Sequence, residues 1–357
     1  MYSPRIGVLA DDLTGGGDIG VQFADKGLKV LLAVDVDAVK DVPKDSEVWI
    51  INTQSRSDPA KIAAKKVKKA VELLKEWNAG YYYKKIDSTL RGQVGAELES
   101  FIEGLEVNMI PFCAAFPAMG RVTIDSIHYV NGVIVSKSPY GKDIKSPVTE
   151  SNIEKLLAAQ MGHPEKVKIK DAVSDDDLVK LSEECTGNVF AGAAAWAGKL
   201  TEKWVSSNRM VPSMMMSPGP VLVISGSLNP VSLAQIDYWE KQGMDSININ
   251  SPDPDPDFEG DLIVKNVLSE DTSDGKKFNR LACQMWLTKK WDRVILNGGD
   301  TAYEFMIGLN MYKVNILQSL MPGVAVTQCK TDYIVMKPGG YGDDKSIVEL
   351  ARLISGK

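Results

Sequence analysis

The chain has 357 residues, 44% hydrophobic and 25% charged, which is a globular composition with ample material for a core and long enough for two domains to be the first expectation. A formal net charge of -6 argues against a nucleic-acid partner, since phosphate backbones select basic surfaces. The opening MYSPRIGVLADD lacks the charged start and long apolar core of a secretory signal. No stretch is apolar for the roughly 18 residues that a membrane span needs, so a cytoplasmic protein without membrane contact is expected.

Taken in chain order, RIGVLA is an apolar run suited to a buried strand, the stretch after Gly15 up to Lys26 suits a helix with Gly27 as its cap, and KVLLAVD is a second strand. EVWIINT follows as a third strand. The next helix, SDPAKIAAKKVKKAVELLKEW, has a Ser or Asp cap and Pro59 in its first turn, and its stripe Ala63, Val67, Ala70, Leu74, Trp77 predicts one face laid on a sheet. Strand GYYYKKI, helix VGAELESFIEGL and strand NMIPFCAAF continue an alternation that favours a parallel sheet covered on both faces. IHYVNGVIV then reads as a hairpin around Asn131-Gly132, and Ser151 with Glu154 as a capping box opening NIEKLLAAQ.

A first domain is expected over 1–209, a Pro-rich linker over 210–220 and a second domain over 221–357. The expected fold is α/β, with a mostly parallel sheet flanked by helices in each domain and the active site in the cleft between them. In the second domain VLVIS, RVILN and YIVMK each run into a small-residue loop and then a helix, and SPDPDPDFEG reads as an exposed, Pro-stiffened loop. Cys113, Cys185, Cys283 and Cys329 are isolated and accompanied by only two histidines, so four buried, inert thiols are expected, with neither a disulfide framework nor a protein-held metal.

Lys85, Asp87, Ser88 and Arg91 fall within seven positions of KKIDSTLRG, where a strand hands over to a helix. Such groups fork, accept and donate as a small polyhydroxy acid requires, and the competing reading is an internal Arg91–Asp87 ion pair tying the turn. Gly15, Gly17 and Gly20, with Asp35 beyond them, imitate a dinucleotide fingerprint and hence an NAD-dependent oxidoreductase. Asp11 and Asp12 precede those glycines and would repel a pyrophosphate, so they better suit sugar hydroxyls or a proton taken from one. Of the two, Asp12 is preferred as base, being one step further from the buried strand.

The second domain's loops carry Ser225, Gly226 and Ser227; Gly298, Gly299, Asp300 and Thr301; and Gly339, Gly340 and Gly342. Each places backbone N–H groups at a helix start after a strand, where open α/β sheets take anions. Lys337 adds a point charge, and Asp300 could reach a magnesium ion through water. A hydroxy acid on one side and a phosphoryl donor on the other would explain this division.

The stretches LADDLTGGGDIG, KKIDSTLRGQVGAELE, FPAMGRVTIDSIHYVNG, SPVTES, VISGSLNPVSLAQI, LNGGDTAYEF and VMKPGGYG, in that order, resemble the four-carbon acid sugar kinase family over nearly the whole chain. The resemblance implies an N-terminal domain for the acid, a C-terminal domain for ATP, and phosphorylation of the terminal hydroxyl of threonate, erythronate or 3-oxo-tetronate, with Mg2+ accompanying ATP. It gives Asp11, Asp12, Ser55, Arg56, Asp87, Ser88 and Arg91 to the acid, and Ser225, Gly226, Gly298, Gly299, Asp300, Thr301, Gly339 and Gly340 to the nucleotide. A sensor that kept the pocket without the chemistry is the non-enzymatic alternative. The acid used, a homodimer and the role of the 141–147 loop, where Ile144-Lys145-Ser146 departs from the family pattern, stay open.

Overall fold

The computed structural model describes residues 5–205, 211, 218–251, 258–266, 273–288 and 291–356. The chain divides into two compact units, Met1–Met210 and Val211–Lys357. Most of the 210–220 stretch and the centre of SPDPDPDFEG lie outside the described residues. Among the described residues no helix is long and apolar enough to cross a membrane.

The strands of the first unit are β1 (Ile6–Ala10), β2 (Val30–Ala33), β3 (Val48–Asn52), β4 (Tyr81–Lys85), β5 (Ile110–Cys113), β6 (Arg121–Ile124), β7 (Ile127–Val130), β8 (Val133–Ile134), β9 (Val167–Ile169) and β10 (Val189–Gly192). Its helices are α1 (Leu13–Ala24), α2 (Ala60–Glu76), α3 (Val94–Leu105), α4 (Ile153–Gln160), α5 (Asp175–Glu184) and α6 (Ala194–Trp204). Seven strands form a parallel sheet in the order β2-β3-β1-β4-β10-β5-β9. β6, β7 and β8 form a small antiparallel sheet whose Asn131-Gly132 turn has φ of 50° and 78°, as the hairpin reading requires. All five residues of β1 and of β3 are buried, which is why both read as unbroken apolar runs. The α2 stripe is buried as expected, and Trp77 meets Trp49 edge to face with centroids 5.7 Å apart.

The second unit contains β11 (Leu222–Ser225), β12 (Asp245–Ile247), β13 (Leu262–Lys265), β14 (Arg293–Asn297), β15 (Lys313–Met321), β16 (Val324–Cys329) and β17 (Asp332–Lys337). Its helices are α7 (Pro230–Lys241), α8 (Ser273–Leu287), α9 (Gly299–Gly308) and α10 (Ser346–Ser355). The order β12-β13-β11-β14-β17 is parallel, and β16 and β15 add an antiparallel ribbon beyond β17. Val223, Ile295, Val335, Trp239 and Ile347 are among the residues of its core.

Several local expectations are corrected. α1 begins at Leu13, not after Gly15, because the extended Asp12 (φ -143°) caps it by accepting from Gly15 N. The fingerprint glycines therefore lie inside a helix rather than in a phosphate loop, which removes the basis of the oxidoreductase reading. Gly16 packs so closely under β2 that a Cβ there would lie 2.9 Å from Leu32. α2 starts at Ala60 with Pro59 at its cap position and no side-chain cap. Asn152 caps α4, while Ser151 bonds Ser136, and the capping box of this unit is Ser174 with Asp177 on α5. α9 starts at Gly299, so Asp300 and Thr301 belong to its first turn and not to a loop. Cys113 and Cys185 are buried, whereas Cys283 and Cys329 are partly exposed.

Candidate functional site

In the first unit, β1 is flanked by β3 and β4, and Ala10 registers with both Asn52 and Lys85, so three parallel strands end level. The loops leaving them carry Asp11 and Asp12, Thr53 to Arg56, and Asp87 to Arg91, at the carboxyl edge where a sheet of this kind binds ligands. Arg56 is the hub. Its Nε donates to Asp11 Oδ2 at 2.8 Å, and its Nη2 to Asp11 Oδ1 at 3.0 Å and Asp12 Oδ1 at 2.6 Å. Burial alone would push the Asp11 carboxyl up, but the Arg56 guanidinium, with Lys84 and Lys85 behind it, outweighs burial and holds it below its ordinary value. Asp12 Oδ2 is met by the Thr14 hydroxyl at 2.8 Å, a donor that can rotate away.

Arg91 does not offer its whole fork to a ligand, as the sequence reading expected. Nε and Nη2 clasp Asp87 at 2.8 and 3.1 Å, and Nη1 reaches Asp143 at 3.3 Å. Against the cost of burial, Arg91 and Arg56 hold the Asp87 carboxyl well below the usual carboxylate range. Tyr140, just before the loop left open in the sequence, lies against Arg91 with 5.3 Å between guanidinium and ring centre, and within that loop Ser146 Oγ donates to the Arg56 backbone carbonyl at 3.3 Å.

Ser55 turns inward. Its hydroxyl is fully buried and donates to Glu97 Oε1 at 2.6 Å, while Lys84 pairs with Glu97 Oε2 at 2.7 Å, so this network supports the site from below. Lys85 donates to the Ile86 carbonyl at 2.8 Å and lies 3.6 Å from Asp18. Ser88 is buried, and its carbonyl accepts from His128 Nε2 at 2.8 Å. Burial pulls the His128 imidazole down to about 4, so it is neutral here and Nε2 carries the proton it donates. Asp18, Glu97, His128 and Asp143 were missed by sequence reasoning. Asp18 had a visible signal as the last carboxylate of DDLTGGGD; the others are brought in by tertiary packing.

In the second unit Ser225, Asn297 and Lys337 are level at the ends of β11, β14 and β17. Asn297 Nδ2 donates to Ser225 Oγ at 2.8 Å, and Lys337 Nζ to Asn297 Oδ1 at 3.1 Å. Gly298, at φ 112°, turns the chain into α9. Gly339 approaches Ser227 so closely that a Cβ would lie 2.2 Å from its Oγ, and one on Gly226 would lie 2.4 Å from Thr301 Oγ1. Ser232 Oγ donates to the Gly339 carbonyl at 2.8 Å, and Gly342 takes φ 80° beside Ser346. Among the described residues no cluster of three or more His, Cys, Asp or Glu could hold a metal.

Comparison with known proteins bears on this arrangement. Residues 6–195 match the sugar-binding N-terminal domain family. The chain is 31% identical over 260 residues to a D-threonate kinase of Salmonella typhimurium, covering 64% of this chain and 59% of that protein. It is 27% identical over 416 aligned positions to a D-threonate kinase of Bordetella bronchiseptica, covering 99% and 98%. The chain belongs to the four-carbon acid sugar kinase family. A 3-oxo-tetronate kinase of Cupriavidus necator is 22% identical, covering 99% of this chain and 98% of its own length. In fold, the chain is similar to a Salmonella typhimurium LT2 protein named as a tRNA synthase (TM-score 0.80, 19% identity, 98% of this chain and 99% of that one). It also resembles a Bordetella bronchiseptica protein crystallised with citrate as a domain-swapped dimer (TM-score 0.53, 26% identity, 99% of each).

Proposed function

We propose that the protein is an ATP-dependent kinase that phosphorylates the terminal hydroxyl of a four-carbon sugar acid, with the first unit holding the acid and the second the nucleotide. The observation that carries this reading is the cluster at the level ends of β1, β3 and β4: three carboxylates organised by two guanidiniums, in a chain whose relatives are named as threonate and 3-oxo-tetronate kinases. Citrate bound to the Bordetella protein supports a pocket for hydroxy acids in this fold, and its dimer supports a homodimer here.

In this reading the carboxylates take different roles. Asp87, clasped by Arg91 and held far below the usual range, is a poor proton acceptor. Both Asp11 oxygens are fixed by Arg56. Asp12 keeps one oxygen under a rotatable hydroxyl and is the base in this reading, taking the proton of the attacking hydroxyl. Arg91, through Nη1, and Lys85 orient the acid's carboxylate, with Ser88 near its hydroxyls.

The second unit takes the nucleotide in this reading because its strands run into glycine turns, with no room for a Cβ at Gly226 or Gly339, and a helix start at α9 follows Gly298, while Lys337 ends β17 level with Asn297. ATP would supply the phosphoryl group, and Mg2+ would offset its charge. Ser225, Ser227, Thr301, Gly299, Gly340 and Gly342 shape that pocket in this reading, with Asp300 on the Mg2+ side. The test is ADP release with MgATP and D-threonate, D-erythronate or 3-oxo-tetronate in turn. Acid-dependent turnover is expected with one of them, and nucleotide release unaffected by every acid would overturn the reading.

A further inference from the structure

Lys337 is 1% exposed, and its ammonium group meets two neutral oxygens, Asn297 Oδ1 at 3.1 Å and the Pro338 carbonyl at 3.2 Å. Those two acceptors satisfy the two N–H groups of a neutral amine. The charged form has a third N–H. Asn297 cannot turn to offer more, because its amide nitrogen is committed to Ser225 Oγ. Among the described residues no carboxylate pairs with Lys337. The charged groups on neighbouring elements are Asp300 and Glu304 on α9, Lys265 at the end of β13, and Asp343, Asp344 and Lys345 after β17, with Arg293 at the opposite end of β14 holding Asp292. None of them contributes to the titration of Lys337: burial alone lowers it from 10.5 to about 7. Among the described residues, then, nothing supplies a counter-charge to a protonated Lys337.

We propose that a bound phosphate group of a nucleotide supplies the missing counter-charge of Lys337, and that Lys337 takes up a proton from solvent as the nucleotide binds. This rests on the nucleotide reading of the second unit and adds to it a proton linkage that the glycine loops alone would not produce. The amine gains a proton, the third N–H gains a phosphate oxygen as acceptor, and no covalent bond changes.

Titration calorimetry of the full chain with MgADP, at about pH 8 in buffers of different ionisation enthalpy, measures the proton count directly. The phosphates are already ionised there, so uptake reports on the protein. The expected slope approaches about one proton taken up per nucleotide and falls toward zero at about pH 6, where Lys337 is already charged. Lys337→Arg, charged throughout, should bind MgADP without the uptake. Lys337→Met should lose affinity by roughly tenfold or more at both pH values. MgADP binding to the parent with no buffer dependence, or unchanged uptake in Lys337→Arg, overturns the proposal and leaves the nucleotide reading standing. Absence of MgADP and MgATP binding at every pH overturns both.

Discussion

Lys84→Met tests the account of how the first unit's site is supported. Lys84 and Glu97 are 0% and 3% exposed in their side chains and 2.7 Å apart, and Glu97's other oxygen accepts from Ser55 at 2.6 Å. The Lys84 ammonium also donates to the Lys85 carbonyl at 2.9 Å, the strand residue that leads into the Asp87 turn. Removing Lys84 alone leaves a buried carboxylate with one hydroxyl partner, which should cost about 3–5 kcal/mol. A unit of this size loses roughly 2–4 °C in Tm per kcal/mol, so a fall of about 6–20 °C is expected. Lys84→Met/Glu97→Met removes both charges and should recover most of that loss, because burying neither ion avoids both desolvation terms. Urea unfolding followed by tryptophan fluorescence, to which the buried Trp49 and Trp77 of this unit contribute, gives the four free energies of the cycle. A single-variant cost below about 1 kcal/mol, or a double variant as unstable as the two singles added, would refute the reasoning.

Three further outcomes follow from the site geometry. Asp12→Asn should lower kcat by about a hundred- to ten-thousand-fold while nucleotide still binds, whereas Asp11→Asn should act mainly on the acid's KM; steady-state kinetics with the active acid separates them. Gly339→Val places a side chain against Ser227 and should abolish the nucleotide-induced rise in Tm while leaving acid binding intact, as thermal shift with each ligand would report. Lys337 binds its proton less tightly folded than unfolded. Its destabilisation of the ligand-free protein is therefore fully present below about pH 7, shrinks as pH rises toward 10.5 and is gone above it. Lys337→Met should accordingly gain most stability over the parent near neutral pH and little near pH 10, by denaturation at each pH.

Much of this was legible because the strands are buried on both faces. IGVLA, VWIIN and RVILN announce themselves as apolar runs, and the loops that follow them carry the polar residues. Helix starts were harder to read. The sequence places α1 after Gly15 and does not reveal Asp12 as its cap, because capping depends on φ and on a contact three residues on that no periodicity displays. The ribbon of β15 and β16 was not anticipated, since KVNILQSLM alternates only at its start and then carries two register shifts. At the site, the doublet Asp11-Asp12 and the turn Asp87–Arg91 were visible as local concentrations of charge. Their pairing was not, because Arg56 joins Asp11 and Asp12 from another strand's loop, and Asp143 reaches Arg91 from a segment 52 residues away. Ser55 illustrates the converse: chemistry that suits a substrate was used internally, on Glu97.

The most direct measurement is mass spectrometry of the product formed from MgATP and each four-carbon sugar acid by the parent protein and by Asp12→Asn. The account predicts one singly phosphorylated acid, carrying the phosphate on its terminal oxygen, formed at least about a hundredfold more slowly by Asp12→Asn. No phosphorylated acid from any of the substrates, or equal yield rates from the two proteins with Asp11→Asn inactive, would contradict it, the first removing the reaction and the second the base.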